Sequence, residues 1–343
     1  MKKHLNTLYV TTQGAWLGME GETVHVKIDG ETRLRVPLHM LESIIVFGNI
    51  SLSQYLMGRC AEHGISISYL TEWGRFLARV VGPVSGNVIL RRTQYRWADE
   101  YEKSASISKV IIGAKIANSR SALQRTLRDH KNIQKRDNLT VTIRILQMRL
   151  EEMKKADDLD TLRGIEGLAA QEYFGALNYM IMNEDPAFTF TKRTRRPPLD
   201  PINALLSFMY TLLLHDVRSA LESVGLDPQV GFLHRDRPGR PGLALDMMEE
   251  FRPFLADRLV LTLINRKQVS SGNFQKVETG GIYMDDSARK TVLTAYQERK
   301  KEEIKHPFLE EMTTIGGLIH IQALLMARYL RGDLDGYPPF FWK

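Results

Sequence analysis

The chain has one cysteine, Cys60, which excludes an internal disulfide and any cysteine-rich zinc site and points to a reducing compartment. No run approaches the ~20 apolar residues that a membrane-spanning helix needs. The stretch Met1–Thr7 leads into an alternating strand pattern without the apolar centre of a signal sequence, so a cytosolic protein with no membrane contact is expected. Nothing in the composition suits a disordered chain. With 43% hydrophobic and 25% charged residues over 343 positions, it is globular and long enough for two domains. Acid is in shorter supply than base: 40 Asp and Glu stand against 47 Lys and Arg, a net charge of +7, which tilts the expectation toward a polyanionic partner.

Residues 1–90 read as a small β-domain. Val24, Val26 and Ile28 alternate with polar residues, Asp29-Gly30 marks a tight turn, and Leu34, Val36 and Leu38 alternate on the return. Further strands are expected at Leu8–Thr11, Ser43–Phe47, Ile65–Leu70 and Phe76–Val81. A short helix is expected at Leu52–His63, with Ser51 as N-cap and Gly64 at its end. Past Gly82-Pro83 and Gly86 the pattern turns helical, giving a linker over 91–105 and a larger all-α domain over 106–343. The expected fold class is therefore α+β with two domains. Lys109, Lys115, Arg120, Arg125, Arg128, Lys131, Lys135, Arg136, Arg144 and Arg149 are assigned to polar helix faces, most of them solvated and a minority touching phosphate. Lys192, Arg193, Arg195 and Arg196 form the densest basic loop. It runs into Asp200-Pro201, a cap followed by proline at the first helical position, and then into an apolar stripe from Ile202 to Ala220. His215 on that helix reads as a surface or satisfied histidine. Lys267, Lys276, Arg289 and Lys290 gather around Gly280-Gly281, and a last helix, Ile315–Leu330, precedes the aromatic tail Tyr337–Trp342.

Two stretches carry acids where the pattern makes them informative. In Gly164-Ile165-Glu166-Gly167, helical offsets put Glu166 on a stripe with Leu162, Ala169, Tyr173 and Leu177. An inward carboxylate has to be protonated, paired with a cation such as a core arginine, or bound to a metal. The flanking glycines weaken the helix, a cost that close approach of a backbone or ligand would offset. In the second stretch, Asp246 and Glu249 share a helix face at i and i+3 after Gly231-Phe232-Leu233-His234. Their mutual repulsion calls for a positive partner, either Arg235, Arg237 and Arg240 or a metal.

Together these stretches resemble the CRISPR-associated adaptation endonuclease family, the spacer-acquisition integrases. The resemblance covers essentially the whole chain and rests on four blocks. These are Gly164–Gly167 with Tyr173-Phe174, Arg195–Pro201 running into Asn203–Ser207, Gly231–His234, and Asp246–Pro253. It implies a metal-dependent DNA endonuclease and integrase in which Glu166, His234, Asp246 and Glu249 make the catalytic site. Glu166, His234 and Glu249 would bind Mg²⁺ or Mn²⁺, with Asp246 as a supporting acid or alternative ligand, because this chain has Glu where many relatives have Asp. It further implies a homodimer through the β-domain and a small ferredoxin-like partner in a 4:2 complex on double-stranded DNA. Lys192, Arg193, Arg195, Arg196, Arg235, Arg237 and Arg240 are the expected phosphate contacts. The alternatives are a structure-selective nuclease for branched DNA or RNA and a non-catalytic DNA scaffold whose acids merely pair with arginines.

Overall fold

The structure, a computed structural model, describes residues 7–80, 82, 87–129, 132–278 and 280–342; the sequence-based expectations for Met1–Asn6, Val81, Pro83, Gly86 and Lys131 lie outside them. The chain opens with β1 (Thr7–Val10), β2 (Trp16–Glu20), β3 (Thr23–Ile28), β4 (Glu31–Pro37), β5 (Ser43–Phe47) and β6 (Ser51–Leu52). Helix α1 (Gln54–Glu62) follows, then β7 (Ser66–Leu70) and β8 (Phe76–Val80). One four-stranded sheet has the order β1-β5-β7-β8 and the other β4-β3-β2-β6. The β3–β4 hairpin turns at Asp29 and Gly30, both with positive φ, as the Asp-Gly pair predicts. Helix α1 starts two residues later than expected. Ser51 and Leu52 pair with Trp16 and Leu17 as strand, and it is Ser53 that caps the helix, its side chain accepting from the Leu56 N–H.

Strand β5 is buried on both faces, which explains its unbroken apolar run. Ile44 and Val46 face the core between the sheets with Leu17, Val24, Val26 and Ile67. Ile45 and Phe47 face the helical part, where the Phe47 ring lies 5.8 Å from that of Phe208.

The helical part begins at Val88, three residues before the segment expected as linker. Residues 91–105, apart from the cap residue Glu100, fall in α2 (Val88–Asp99) and α3 (Tyr101–Asp129), and α4 (Ile133–Lys155), α5 (Leu159–Gly175) and α6 (Leu177–Met180) follow. Helix α7 (Pro201–Ser223) is the core spine, with Asp200 accepting from the Asn203 N–H at its N-cap. Then come α8 (Gly242–Met248), a π-helical turn at Arg252–Asp257 and α9 (Arg258–Asn265). Two short ribbons interrupt the expected all-helical pattern: β9 (Phe274–Lys276) with β10 (Ile282–Met284), and β11 (Glu303–Lys305) with β12 (Met312–Thr314). Helix α10 (Asp286–Lys301) lies between them and α11 (Ile315–Arg331) follows them. Among the described residues no helix is long and apolar enough to cross a membrane.

The aromatic tail folds back into the core. Glu250 accepts hydrogen bonds from the Tyr337 hydroxyl, Gln322 and the Phe340 N–H, while Asn118 donates to the Glu250 and Phe340 carbonyls and accepts from the Trp342 N–H. The Trp342 ring sits between the guanidinium groups of Arg125 (4.1 Å) and Arg258 (4.8 Å). His215 is a satisfied histidine at the seam between the two parts, its ring nitrogens facing Ser68 and Ser66 of β7, and burial pushes it down to about 4.

Candidate metal site and nucleic-acid face

The site assembles where α3, α5 and the segment after α8 meet. Asp246, on α8, is fully buried and is consumed by the loop before it: its carboxylate accepts from the backbone N–H groups of Phe232, Leu233 and His234 at 2.6, 3.0 and 3.0 Å. Two glycines allow this. A Cβ on Gly231 would fall 2.6 Å from the backbone of Gly242 and 2.7 Å from the Asp246 carboxylate, so side chains at the crossing are excluded. His234 Nδ1 lies 2.6 Å from Asp246 Oδ1, which assigns the proton to Nδ1 and leaves the Nε2 lone pair outward.

Helix α8 ends at Met248, and the chain turns so that Glu249 points into the site while Glu250 points into the tail. Glu249 pairs with Arg252 at 2.7 Å and with the Lys115 ammonium at 2.8 Å. Burial works to raise its pKa, but Arg252, then Lys115 and His234, hold it down at about 2. Lys115 also pairs with Glu166, so one ammonium bridges both acids. Side-chain exposure is 4% for Glu249, 13% for Lys115 and 26% for Glu166, which puts Glu166 at the rim of the site. The cation that the sequence calls for at Glu166 is therefore a lysine. For Glu249 it is Lys115 and Arg252, not Arg235, Arg237 and Arg240. No other part of the described chain makes the expected close approach at Gly164 or Gly167, where a Cβ would meet nothing within 4 Å.

Lys115 and Arg252 are the site residues that sequence reasoning missed. Lys115 is assigned by its sequence neighbours to a solvated face, yet burial works to lower its pKa while Glu249 and Glu166 raise it above the ordinary lysine value. Its position i−3 from Asn118, which holds the tail, is the one hint that it faces inward. Arg252, i+3 from Glu249, was legible as a helical ion pair.

Among the described residues no three of His, Cys, Asp and Glu stand close enough together to cage an ion as they are. The donor set nonetheless suits a divalent cation. Glu249 Oε2 is buried without a well-directed hydrogen bond, its contact being the Lys115 ammonium, and the other donors are a second carboxylate and an imidazole nitrogen.

The basic residues divide. Arg193 turns inward, donating to Asn203 (2.7 Å) and Ser207 (3.1 Å) and stacking on Tyr210, so it is a strut of the loop. Arg235 pairs with Asp160 at 2.9 Å. Lys192, Arg195, Arg196 and Arg237 are exposed. Burial first, then Arg237, Arg195 and Arg163, lower the pKa of Arg240 against Asp246, so the two basic loops converge beside the His234 segment. Arg163, on the helix of Glu166, donates twice to the Leu233 carbonyl (2.9 and 2.8 Å) and ties that helix to the His234 loop. Arg289, expected near the Gly280-Gly281 turn, is buried and paired with Asp286.

A two-domain β-then-helical protein in which two carboxylates, Glu166 and Glu249, meet at one lysine, with a histidine held by a third acid and exposed basic loops, is the class defined so far. The chain belongs to the family of CRISPR associated protein Cas1, whose model matches residues 8–298. It is 54% identical over 343 residues, the full length of both chains, to a CRISPR-associated endonuclease Cas1 of Chlorobaculum tepidum. Among solved structures it is similar to a Cas1 protein from Thermotoga maritima, with 24% identity, a TM-score of 0.82, and coverage of 97% of this chain and 100% of that one. It also resembles a casposase bound to integration product, with 22% identity, a TM-score of 0.81, and coverage of 96% and 92%; both are likenesses of fold.

Proposed function

We propose that this chain is a metal-dependent DNA endonuclease and integrase of CRISPR adaptation, with Glu166, His234 and Glu249 holding Mg²⁺ or Mn²⁺. The observation that carries this reading is Glu249, a carboxylate at 4% exposure held ionised by burial-opposing cations, with one oxygen lacking a directed hydrogen bond. Asp246 is a positioning acid. With three N–H donors and the imidazole on it, it fixes the His234 tautomer and has no lone pair pointed at the site.

When bound, the ion polarises the scissile phosphate and stabilises the leaving oxygen. The chain's part is to hold its ligands and align DNA. His234 presents Nε2 because Nδ1 is engaged, and Lys192, Arg195, Arg196, Arg237 and Arg240 offer charge to phosphates without reading bases. The 3′-hydroxyl of a captured fragment attacks a phosphodiester at the repeat edge. One P–O bond forms as another breaks, releasing a 3′-hydroxyl, and no covalent protein intermediate is needed. A dimer through the β-domain, whose outer strand β4 is exposed from Glu31 to Arg35, and a small ferredoxin-like partner in a 4:2 complex complete the proposal. The test is joining of a labelled duplex to a supercoiled repeat-bearing plasmid with Mn²⁺, Mg²⁺ or chelator. Repeat-edge products that vanish with chelator support integration, cleavage of branched DNA alone supports a repair-type nuclease, and metal-independent activity rejects the site.

A further inference from the structure

In this structure the space between the two acids is spanned by a cation of the chain itself. Lys115, from the middle of α3, ion-pairs with Glu166 on α5 and, at 2.8 Å, with Glu249 beyond α8. Arg252 takes the other Glu249 oxygen at 2.7 Å. Two carboxylates therefore face two cations, and the ion-free cluster is charge-balanced. That balance answers the cost of leaving acids buried. A divalent ion held by Glu166 and Glu249 would compete with Lys115, which now contacts Oε1 of Glu166 and Oε2 of Glu249. Arg252 can stay, because its contact is the opposite oxygen of Glu249.

We propose that Lys115 is the resident counter-cation of the site, which a divalent ion must displace, and that this displacement couples ion binding to DNA binding. The inference rests on the metal reading above. Once displaced, the ammonium stays tethered beside the site on a flexible four-carbon stem. The cluster then holds two positive charges more than before, in a place where surplus charge is costly. A DNA phosphate is the anion that restores balance. Ion and DNA accordingly bind more tightly together than either does alone, and the coupling is reciprocal. Protein without DNA holds its ion weakly, so the site loads with its ion as DNA arrives.

The experiment titrates Mn²⁺ against the full-length protein, reading free Mn²⁺ by its paramagnetic resonance signal. It is done with and without a duplex whose 3′ ends are dideoxy-terminated and cannot react. Wild type should bind Mn²⁺ about tenfold more tightly in the presence of the duplex, within the usual range for coupled sites. Lys115→Met should bind Mn²⁺ about tenfold more tightly than wild type without DNA and should gain little when DNA is added; Lys115→Arg should behave as wild type. A merely structural staple predicts the opposite for Lys115→Met: a lower melting temperature and Mn²⁺ affinity unchanged or weaker, which would overturn the proposal. If Lys115→Met does not fold, the wild-type titration decides, because Mn²⁺ affinity indifferent to DNA rejects the coupling. Failure of the underlying reading looks different: wild type would then take up no more Mn²⁺ than Glu249→Gln.

Discussion

Glu166 stands at the rim of the acid cluster with a quarter of its side chain exposed, and its partner Lys115 keeps a second carboxylate when Glu166 is removed. Glu166→Ala should therefore abolish strand joining, by about 10²-fold or more if a ligand is lost, while costing no more than about 1 kcal/mol of stability, as for a partly exposed ion pair. Joining assays and thermal melting measure both; an active variant would remove Glu166 from the site. Asp257 is a buried residue whose protonation state bears on stability. Burial raises it to about 6 against the hydrogen bond from the Tyr210 hydroxyl at 2.6 Å. A carboxyl raised in the folded state contributes stability that is fully present below its unfolded value, near 4, and lost as pH rises through about 6. Asp257→Asn should thus destabilise more at pH 4 than at pH 8, by up to about 3 kcal/mol for a shift of this size. Urea unfolding at the two pH values checks it; equal losses would show that Asp257 titrates normally.

At the scale of elements, the crossing of Gly231 and Gly242 lets one carboxylate, Asp246, hold the Phe232–His234 loop against α8. Asp246→Asn keeps the size but puts an amide N–H against backbone donors. It should cost about 2–4 kcal/mol and lower activity through a misaligned His234 even where the protein remains folded. Melting temperature and joining rate at low temperature separate the two effects. Much of this layout was legible in the sequence. Asp200-Pro201 marked the start of α7, Asp29-Gly30 the hairpin, and the Asp246/Glu249 spacing the acidic segment. The start of α1 was misplaced because Ser51 and Ser53 are equally good caps, and the strand pairing of Ser51 with Trp16 is a long-range fact. The role of Lys115 was hidden for the same reason: its partners lie 51 and more residues away, while its neighbours in sequence make the helix look solvated.

Over the whole molecule, net positive charge becomes specific only where loops from different parts of the chain meet. Lys192, Arg195 and Arg196 come from before α7 and Arg237 and Arg240 from before α8, yet Arg195 and Arg237 both act on Arg240. Replacing Lys192, Arg195 and Arg196 together should reduce the salt dependence of DNA affinity, since each lost phosphate contact removes about one unit of log–log slope. Arg193→Ala should instead loosen the loop by removing its hydrogen bonds to Asn203 and Ser207, while Asn203 keeps those to Thr194, Lys192 and Asp200. Fluorescence anisotropy across a salt series measures the slopes, and an unchanged slope would take the loop off the DNA. The fold also wires a light-emitting group to the back of the site. The peptide unit that aims Glu249 at the acids carries Glu250 into the tail, and Asn118 joins that segment to Trp342, whose indole is clasped between two guanidinium groups. Of the four tryptophans, Trp16 and Trp73 are about two-fifths exposed, Trp97 is half-buried against Tyr329, and Trp342 is nearly shielded. With the other three replaced by phenylalanine, the emission colour of Trp342 becomes a gauge of whether the wall behind Glu249 keeps water out.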